Sequence, residues 1–117
     1  MSLEYDNNVV IAIDYDGTLT KRNGELDARA LRWIKRMDAK GMILILWSCR
    51  DTKELPLPRG VPLIDAQEYT ARGESRKLNA DIYIDNLNPL GPLWTIAYIK
   101  AVCLQKKRHA NEIFNQL

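Results

Sequence analysis

Asp14 and Asp16 close an apolar run, stand two positions apart and are followed at once by Gly17. In extended backbone, residues two apart point to the same side, so both carboxylates face one surface, and the glycine allows a sharp turn directly after them. Carboxylates this close repel and need a positive partner. The chain has a single His and two Cys, which excludes a structural zinc site built from those residues and leaves oxygen ligands for a hard cation such as Mg²⁺. Two more apolar runs end in groups of the same kind: Ser48 follows MILILW, and Asp85 with Asn86 follows IYI. Asp85 is the natural candidate to complete the protein ligands of such a cation.

These groups meet only if the runs before them are parallel strands. Val9 to Ile13 (VVIAI) is continuous, mostly β-branched and apolar, the pattern of a strand buried on both faces. Residues Asp27 to Lys40 place Ala30, Trp33, Ile34 and Met37 at helical spacing, with Asp27 as N-cap and Gly41 as C-cap. Met42 to Trp47 is a second strand, and strand, helix, strand in this order implies a right-handed parallel crossover. The prolines at 56 and 58 allow at most a short helical turn between Asp51 and Gly60, Val61 to Ile64 after that glycine is a weaker third strand, and Ile82 to Ile84 is a fourth. Gly91-Pro92 then opens a helix from about Leu93 onward, about 37 Å long if unbroken. The expected fold is α/β, a three-layer Rossmann-like arrangement around a central parallel sheet, occupying residues 1–117 as one domain. In such sheets ligands bind outside the carboxyl ends of the strands, where Asp14, Ser48 and Asp85 would converge.

With those residues placed, the chain resembles the haloacid dehalogenase-like hydrolases. The family's first motif, Asp-X-Asp-X-Thr after the first strand, is similar to Asp14-Tyr15-Asp16-Gly17-Thr18. Ser48 resembles the second motif, Lys77 the third and Asp85 the fourth, all in the required order. The resemblance implies a phosphatase in which Asp14 is the nucleophile and forms an aspartyl-phosphate, and Asp16 is the general acid and base. It implies that Mg²⁺ is held by the Asp14 carboxylate, the Asp16 main-chain carbonyl and Asp85. Ser48 and Lys77 would bind phosphoryl oxygens, with main-chain N–H groups near Tyr15, Asp16 and Cys49 as further donors, and Thr18 would stand with this phosphate-binding set while orienting the Asp16 loop. Where the fourth motif often carries a second acid this chain has Asn86, whose amide can still hold a metal-bound water. Arg50 is a candidate for a substrate anion, and Trp33, Trp47 and Trp94 read as core residues. Members usually carry an inserted cap. Here residues 17–26 and the 28 residues between Ser48 and Lys77 leave no room for one, so the expected site is open.

Lys plus Arg total 17 against 15 Asp plus Glu, a balance of +2 that calls for neither nucleic acid nor an anionic membrane. No apolar run approaches the roughly 20 residues of a membrane span, and the sparse cysteines fit a reducing cytoplasm. The expected substrate is a phosphorylated small molecule. The basic run Lys106 to His109 reads as a solvated helix face, and the length of the last helix suggests a homo-oligomer formed through it. Two other classes compete with the phosphatase reading. A receiver domain also gathers acids, a hydroxyl and a lysine, but takes phosphate after its third strand, where this chain offers only Asp65. A catalytically silent binding module of the same family is the other.

Overall fold

The structure, a computed structural model, describes residues 8–48, 55–66, 68–69, 79–86 and 92–117. Strand β1 (Val10–Asp14) leads through residues 15–27 into helix α1 (Ala28–Ala39), which returns to β2 (Ile43–Trp47). Strands β3 (Ile64–Asp65) and β4 (Ile82–Ile84) follow, and helix α2 (Trp94–Gln116) closes the described chain. All pairings are parallel and the order is β3-β2-β1-β4. The most apolar strand is therefore inside the sheet, where every residue from Val10 to Ile13 is buried. This is the α/β fold expected, and residues 15–27 form a short hairpin instead of a cap.

Alternation sorts the two faces. Val9, Ile11 and Ile13 of the first strand region, with Leu44 and Leu46 of β2, join the buried Ala30, Ile34 and Met37 of α1 and Ala97 and Ala101 of α2 in one core. Both long helices thus lie on the same face, and the Trp33 and Tyr98 rings meet between them with centroids 5.6 Å apart. Arg36 stacks over Trp33 at 4.9 Å, so this aromatic contact is capped by a cation. On the other face Val10, Ile43 and Ile45 pack against Ile64, Ala66, Tyr69 and Ala80, a smaller cluster supplied by the β3 region and the approach to β4.

The helix ends follow local chemistry. The Asp27 carboxylate accepts the Arg29 N–H at 2.9 Å, which satisfies one of the unpaired donors of the first turn. At the other end Lys40 is the cap, and Gly41 sits one position beyond with φ +79°, a left-handed conformation that glycine adopts at least cost. Three expectations shift. The first strand runs one residue later than Val9 to Ile13 and includes Asp14. The third is only two residues long: Pro62 brings no N–H to a ladder, and the Leu63 N–H folds back onto the Val61 carbonyl at 2.8 Å. Trp47 is not a core residue, being 43% exposed and meeting Tyr83 edge-on, while Trp33 and Trp94 are half-buried.

A clamp at the opposite end of the sheet from the acids is contributed by α2. The Asp81 carboxylate accepts the Val10 N–H at 2.8 Å, and the Asp81 N–H is donated back to the Val10 carbonyl at 2.8 Å. Arg108 then donates to both Asp81 oxygens, at 2.6 and 3.1 Å, and to the Asn8 carbonyl at 2.9 Å. One member of the basic run is thus a tie between helix and sheet and not part of a solvated face. Among the described residues no helix is long and apolar enough to cross a membrane.

Candidate functional site

The central position of β1 decides where the site forms. Asp14 is the last residue of β1 and pairs with Trp47, so Ser48 lies one step beyond it on the neighbouring strand. On the other side Ile13 pairs with Ile84, which puts Asp85 one step beyond that pair, level with Asp14. Asp14, Ser48 and Asp85 therefore stand at one edge of three adjacent parallel strands, the place where open α/β sheets bind ligands. Asp16 follows in the turn and is exposed.

The turn after β1 is held by its own main chain. The Tyr15 carbonyl accepts from the N–H groups of Thr18, Leu19 and Thr20, at 3.3, 2.9 and 3.3 Å, and the Gly17 N–H donates to the Thr20 hydroxyl at 3.0 Å. Gly17 has φ +76°. The hairpin Thr20–Leu26 then closes with the Lys21 N–H on the Glu25 carbonyl at 2.7 Å and delivers the chain to Asp27. Tyr15, between the two acids, points the other way, as alternation requires. It is 2% exposed, and its hydroxyl donates to the Pro56 carbonyl at 2.8 Å. This ties the acidic turn to the segment after β2. Sequence reasoning gave Tyr15 only a main-chain role; the available signal was an aromatic ring at the inward position of an otherwise outward-facing Asp-X-Asp.

Electrostatics mark Asp14 out. Burial raises the affinity of its carboxyl for a proton, a hydrogen bond from the Tyr15 N–H opposes this, and the charges of Asp16 and Asp85 raise it further, leaving it above the ordinary carboxylate range. Asp14, Asp16 and Asp85 bring hard oxygen donors and negative charge to one end of the sheet. Among the described residues no group of three or more His, Cys, Asp or Glu side chains stands in ligating position. The donor set expected for Mg²⁺ needs only two carboxylates, Asp14 and Asp85, with the Asp16 main-chain carbonyl as third donor. The residues present fit a hard cation in that sense, by donor chemistry and by the excess negative charge.

Thr18 is 2% exposed, and its hydroxyl has no hydrogen-bond partner among the described residues. Its burial fits a part in shaping the turn and leaves it no surface to offer a phosphate. Asn86 is exposed beside Gly17. Lys77, Cys49 and Arg50 lie outside the described residues. Asp65, the residue a receiver domain would phosphorylate, is at the edge strand, two strands from Asp14, and its carboxylate accepts the Glu68 N–H at 3.3 Å. The acids therefore assemble around β1 and not β3, against the receiver reading.

Residues 11–57, which contain the Asp14-to-Thr18 motif and Ser48, match the family model of haloacid dehalogenase-like hydrolases. Among solved structures, a conserved protein from Bacteroides thetaiotaomicron is 32% identical, with the match covering 78% of this chain and 87% of that one at a TM-score of 0.56. No curated protein matches the chain. The Asp14-to-Thr18 motif lies inside the matched segment, and the chain belongs to the haloacid dehalogenase-like hydrolases.

Proposed function

We propose that this hydrolase is a Mg²⁺-dependent phosphatase of phosphomonoesters that works through an aspartyl-phosphate on Asp14. The observation that carries the reading is the position of Asp14 at the end of the central strand, between Ser48 and Asp85 and two residues from the exposed Asp16. A carboxylate oxygen of Asp14 attacks phosphorus in line with the leaving oxygen. The O–P bond to Asp14 forms as the bond to the leaving group breaks, and Asp16 gives its proton to the departing oxygen. Asp16, now a carboxylate, takes a proton from water as that water attacks phosphorus. Inorganic phosphate leaves, Asp14 is regenerated and Asp16 is protonated again.

Burial and two neighbouring acids work against an ionised Asp14, so the nucleophile needs positive charge beside it. Asp14, Asp85 and the Asp16 carbonyl would hold Mg²⁺, which when bound would supply that charge and offset the repulsion between carboxylate and phosphate. Asn86 can orient a water at the same place. Ser48 offers a hydroxyl donor to the phosphoryl oxygens, joined by Lys77 and the Cys49 N–H from the family pattern, with Arg50 as a further anion ligand. The hairpin at residues 20–26 is too small to enclose a substrate, so a phosphorylated small molecule would be held mainly by its phosphate. Phosphate release from a panel of phosphomonoesters, with and without Mg²⁺, tests the proposal. Turnover that requires Mg²⁺ and vanishes in Asp14→Asn is expected; turnover that survives in Asp14→Asn would overturn the mechanism.

A further inference from the structure

Two exposed aromatic rings stand beside Asp14. Trp47 on β2 is the register partner of Asp14, and Tyr83 on β4 is the register partner of Ala12. Registered residues of neighbouring parallel strands lie about 4.8 Å apart and point to the same face. Asp14, Trp47 and Tyr83 therefore share the face of the sheet that the two long helices leave free. The rings belong to strands on either side of β1, yet their centroids are 6.4 Å apart with an interplanar angle of 72°, an edge-to-face contact. They meet across β1 at the level of Ala12, the one small residue of that strand, which is buried. A bulkier side chain there would hold the rings apart. The Tyr83 hydroxyl accepts the Ala80 N–H at 3.1 Å, which fixes its ring against the approach to β4. Even in contact, Trp47 stays 43% exposed and Tyr83 49%. Rings of this size normally bury most of their surface, and a pair left open beside a cluster of acids is a surface for a ligand.

We propose that Trp47 and Tyr83 are the platform for the leaving group, and that they select phosphomonoesters whose alcohol carries a flat aromatic ring close to the ester oxygen. The inference rests on the phosphatase reading and adds the substrate class. An indole reaches farther from its Cα than a carboxylate does. On their shared face the Trp47 ring thus flanks the space beyond the Asp14 oxygens, where phosphorus and the leaving oxygen must lie for attack in line. The bond angle at the ester oxygen turns the alcohol aside from that line. On one side β4 brings Asp85 level with Asp14; on the other β2 brings Trp47, so an apolar alcohol is accommodated on the β2 side. Tyr83 stands one pleat farther back and lengthens the platform. Flat rings stack on such faces whatever their substituents. A polyhydroxyl alcohol gains less, because behind the platform this face of β1 and β2 carries only Val10, Ala12, Ile43 and Ile45, which offer its hydroxyls no side-chain partner. A nucleotide fits less well, since its sugar separates the base from the phosphate while Trp47 is a single strand spacing from Asp14.

The test reads the platform apart from the chemistry. Phenethylphosphonate is benzyl phosphate with carbon in place of the ester oxygen, so it binds without being cleaved, and ethylphosphonate lacks the ring. In calorimetric titrations of the full chain with Mg²⁺ present, phenethylphosphonate is expected to bind about tenfold more tightly than ethylphosphonate, as one aromatic stack allows. Trp47→Ala is expected to bring the two phosphonates to the same affinity and Trp47→Phe to keep most of the preference, both with an unchanged circular dichroism spectrum. In turnover, Trp47→Ala is expected to raise KM for benzyl phosphate by about tenfold at constant kcat, and to leave KM for glycerol phosphate and adenosine monophosphate unchanged. Trp47-dependent binding of phenethylphosphonate without turnover of any phosphomonoester would support the platform and count against the phosphatase reading alone. Equal affinity for the two phosphonates in the unmodified protein, a ring preference that survives Trp47→Ala, or a loss with adenosine monophosphate as large as with benzyl phosphate would each overturn the proposal.

Discussion

Gly17 and Asn86 face each other across the mouth of the site with no room for a Cβ between them. One built on Gly17 falls onto the Asn86 amide nitrogen and 3.1 Å from its Cγ, and the glycine itself is at φ +76°. Gly17→Ala therefore meets both a left-handed backbone and a neighbouring side chain, and is expected to destabilise the fold by roughly 1–3 kcal/mol in urea titrations. The two causes separate in a double-mutant cycle. In an Asn86→Ala background the amide and Cγ are gone, so the cost of Gly17→Ala should fall to roughly 1 kcal/mol, the share due to φ and to the remaining Cβ of residue 86 at 3.2 Å. Equal costs in both backgrounds would mean that the Asn86 carboxamide swings away freely.

The clamp of Asp81 and Arg108 gives a pH signature. Burial raises the Asp81 carboxyl's proton affinity, but the Arg108 hydrogen bonds, the Val10 N–H and the Arg108 charge lower it more, so its pKa in the folded protein lies below the ordinary carboxylate value. A group of that kind stabilises the fold while ionised in both states. Its contribution is full above the unfolded-state value and disappears as pH falls through the lower folded-state value. Asp81→Asn is thus expected to lower stability near neutral pH by roughly 1–2 kcal/mol, since the clamp is partly exposed. In thermal melts from pH 7 down to pH 2 the gap between variant and unmodified protein should shrink toward zero. A gap independent of pH would assign the effect to shape and not charge.

The clamp also shows what a linear reading resolves. Continuous apolar runs place β1 and β2, and Asp27 and Gly41 bracket α1 to within a residue, because these signals are local. Asp14, Asp16 and Asp85 are legible for the same reason: each follows its strand directly, and a parallel sheet brings strand ends together. Arg108 is not legible. Its partner is 27 positions away, and within Lys106 to His109 nothing distinguishes the residue whose helical angle turns it to the sheet from those that face solvent. Trp47 misleads in a similar way, since it ends an apolar run but alternates with Ile43 and Ile45 onto the face away from the two long helices and is half exposed beside Tyr83. The shortness of β3 follows from Pro62 in combination with the register to β2, and only the proline is visible in sequence.

Tyr15 should couple the acidic turn to the segment after β2. Tyr15→Phe keeps the buried ring and removes only the hydrogen bond to the Pro56 carbonyl, which is near solvent and can accept from water instead. The expected loss of stability is about 1 kcal/mol. Because the bond holds residues near 56 against the turn bearing Asp16, phosphate release should fall several-fold while the substrate preference across the panel is retained. Unchanged turnover in a protein destabilised by this amount would show that the two segments keep their relation without the hydroxyl.

Asp14 is expected to destabilise the metal-free fold that it serves. Burial and the charges of Asp16 and Asp85 raise its folded-state pKa above the unfolded value. The folded state therefore prefers the protonated form, and stability declines as pH rises from the unfolded-state value through the folded one and stays reduced above it. Asp14→Asn removes the charge while keeping the shape, so in metal-free buffer at pH 7 the variant should melt higher than the unmodified protein. The difference should diminish at pH values below the carboxylate range, where Asp14 is neutral in both states. Mg²⁺ is expected to reverse the order, stabilising the unmodified protein by binding beside an ionised Asp14 and raising the variant's melting temperature much less. Thermal melts of the two proteins at pH 7 and pH 3, with and without Mg²⁺, distinguish this from a purely steric role. A variant that melts lower under all four conditions would mean that Asp14 supports the fold and is not strained within it.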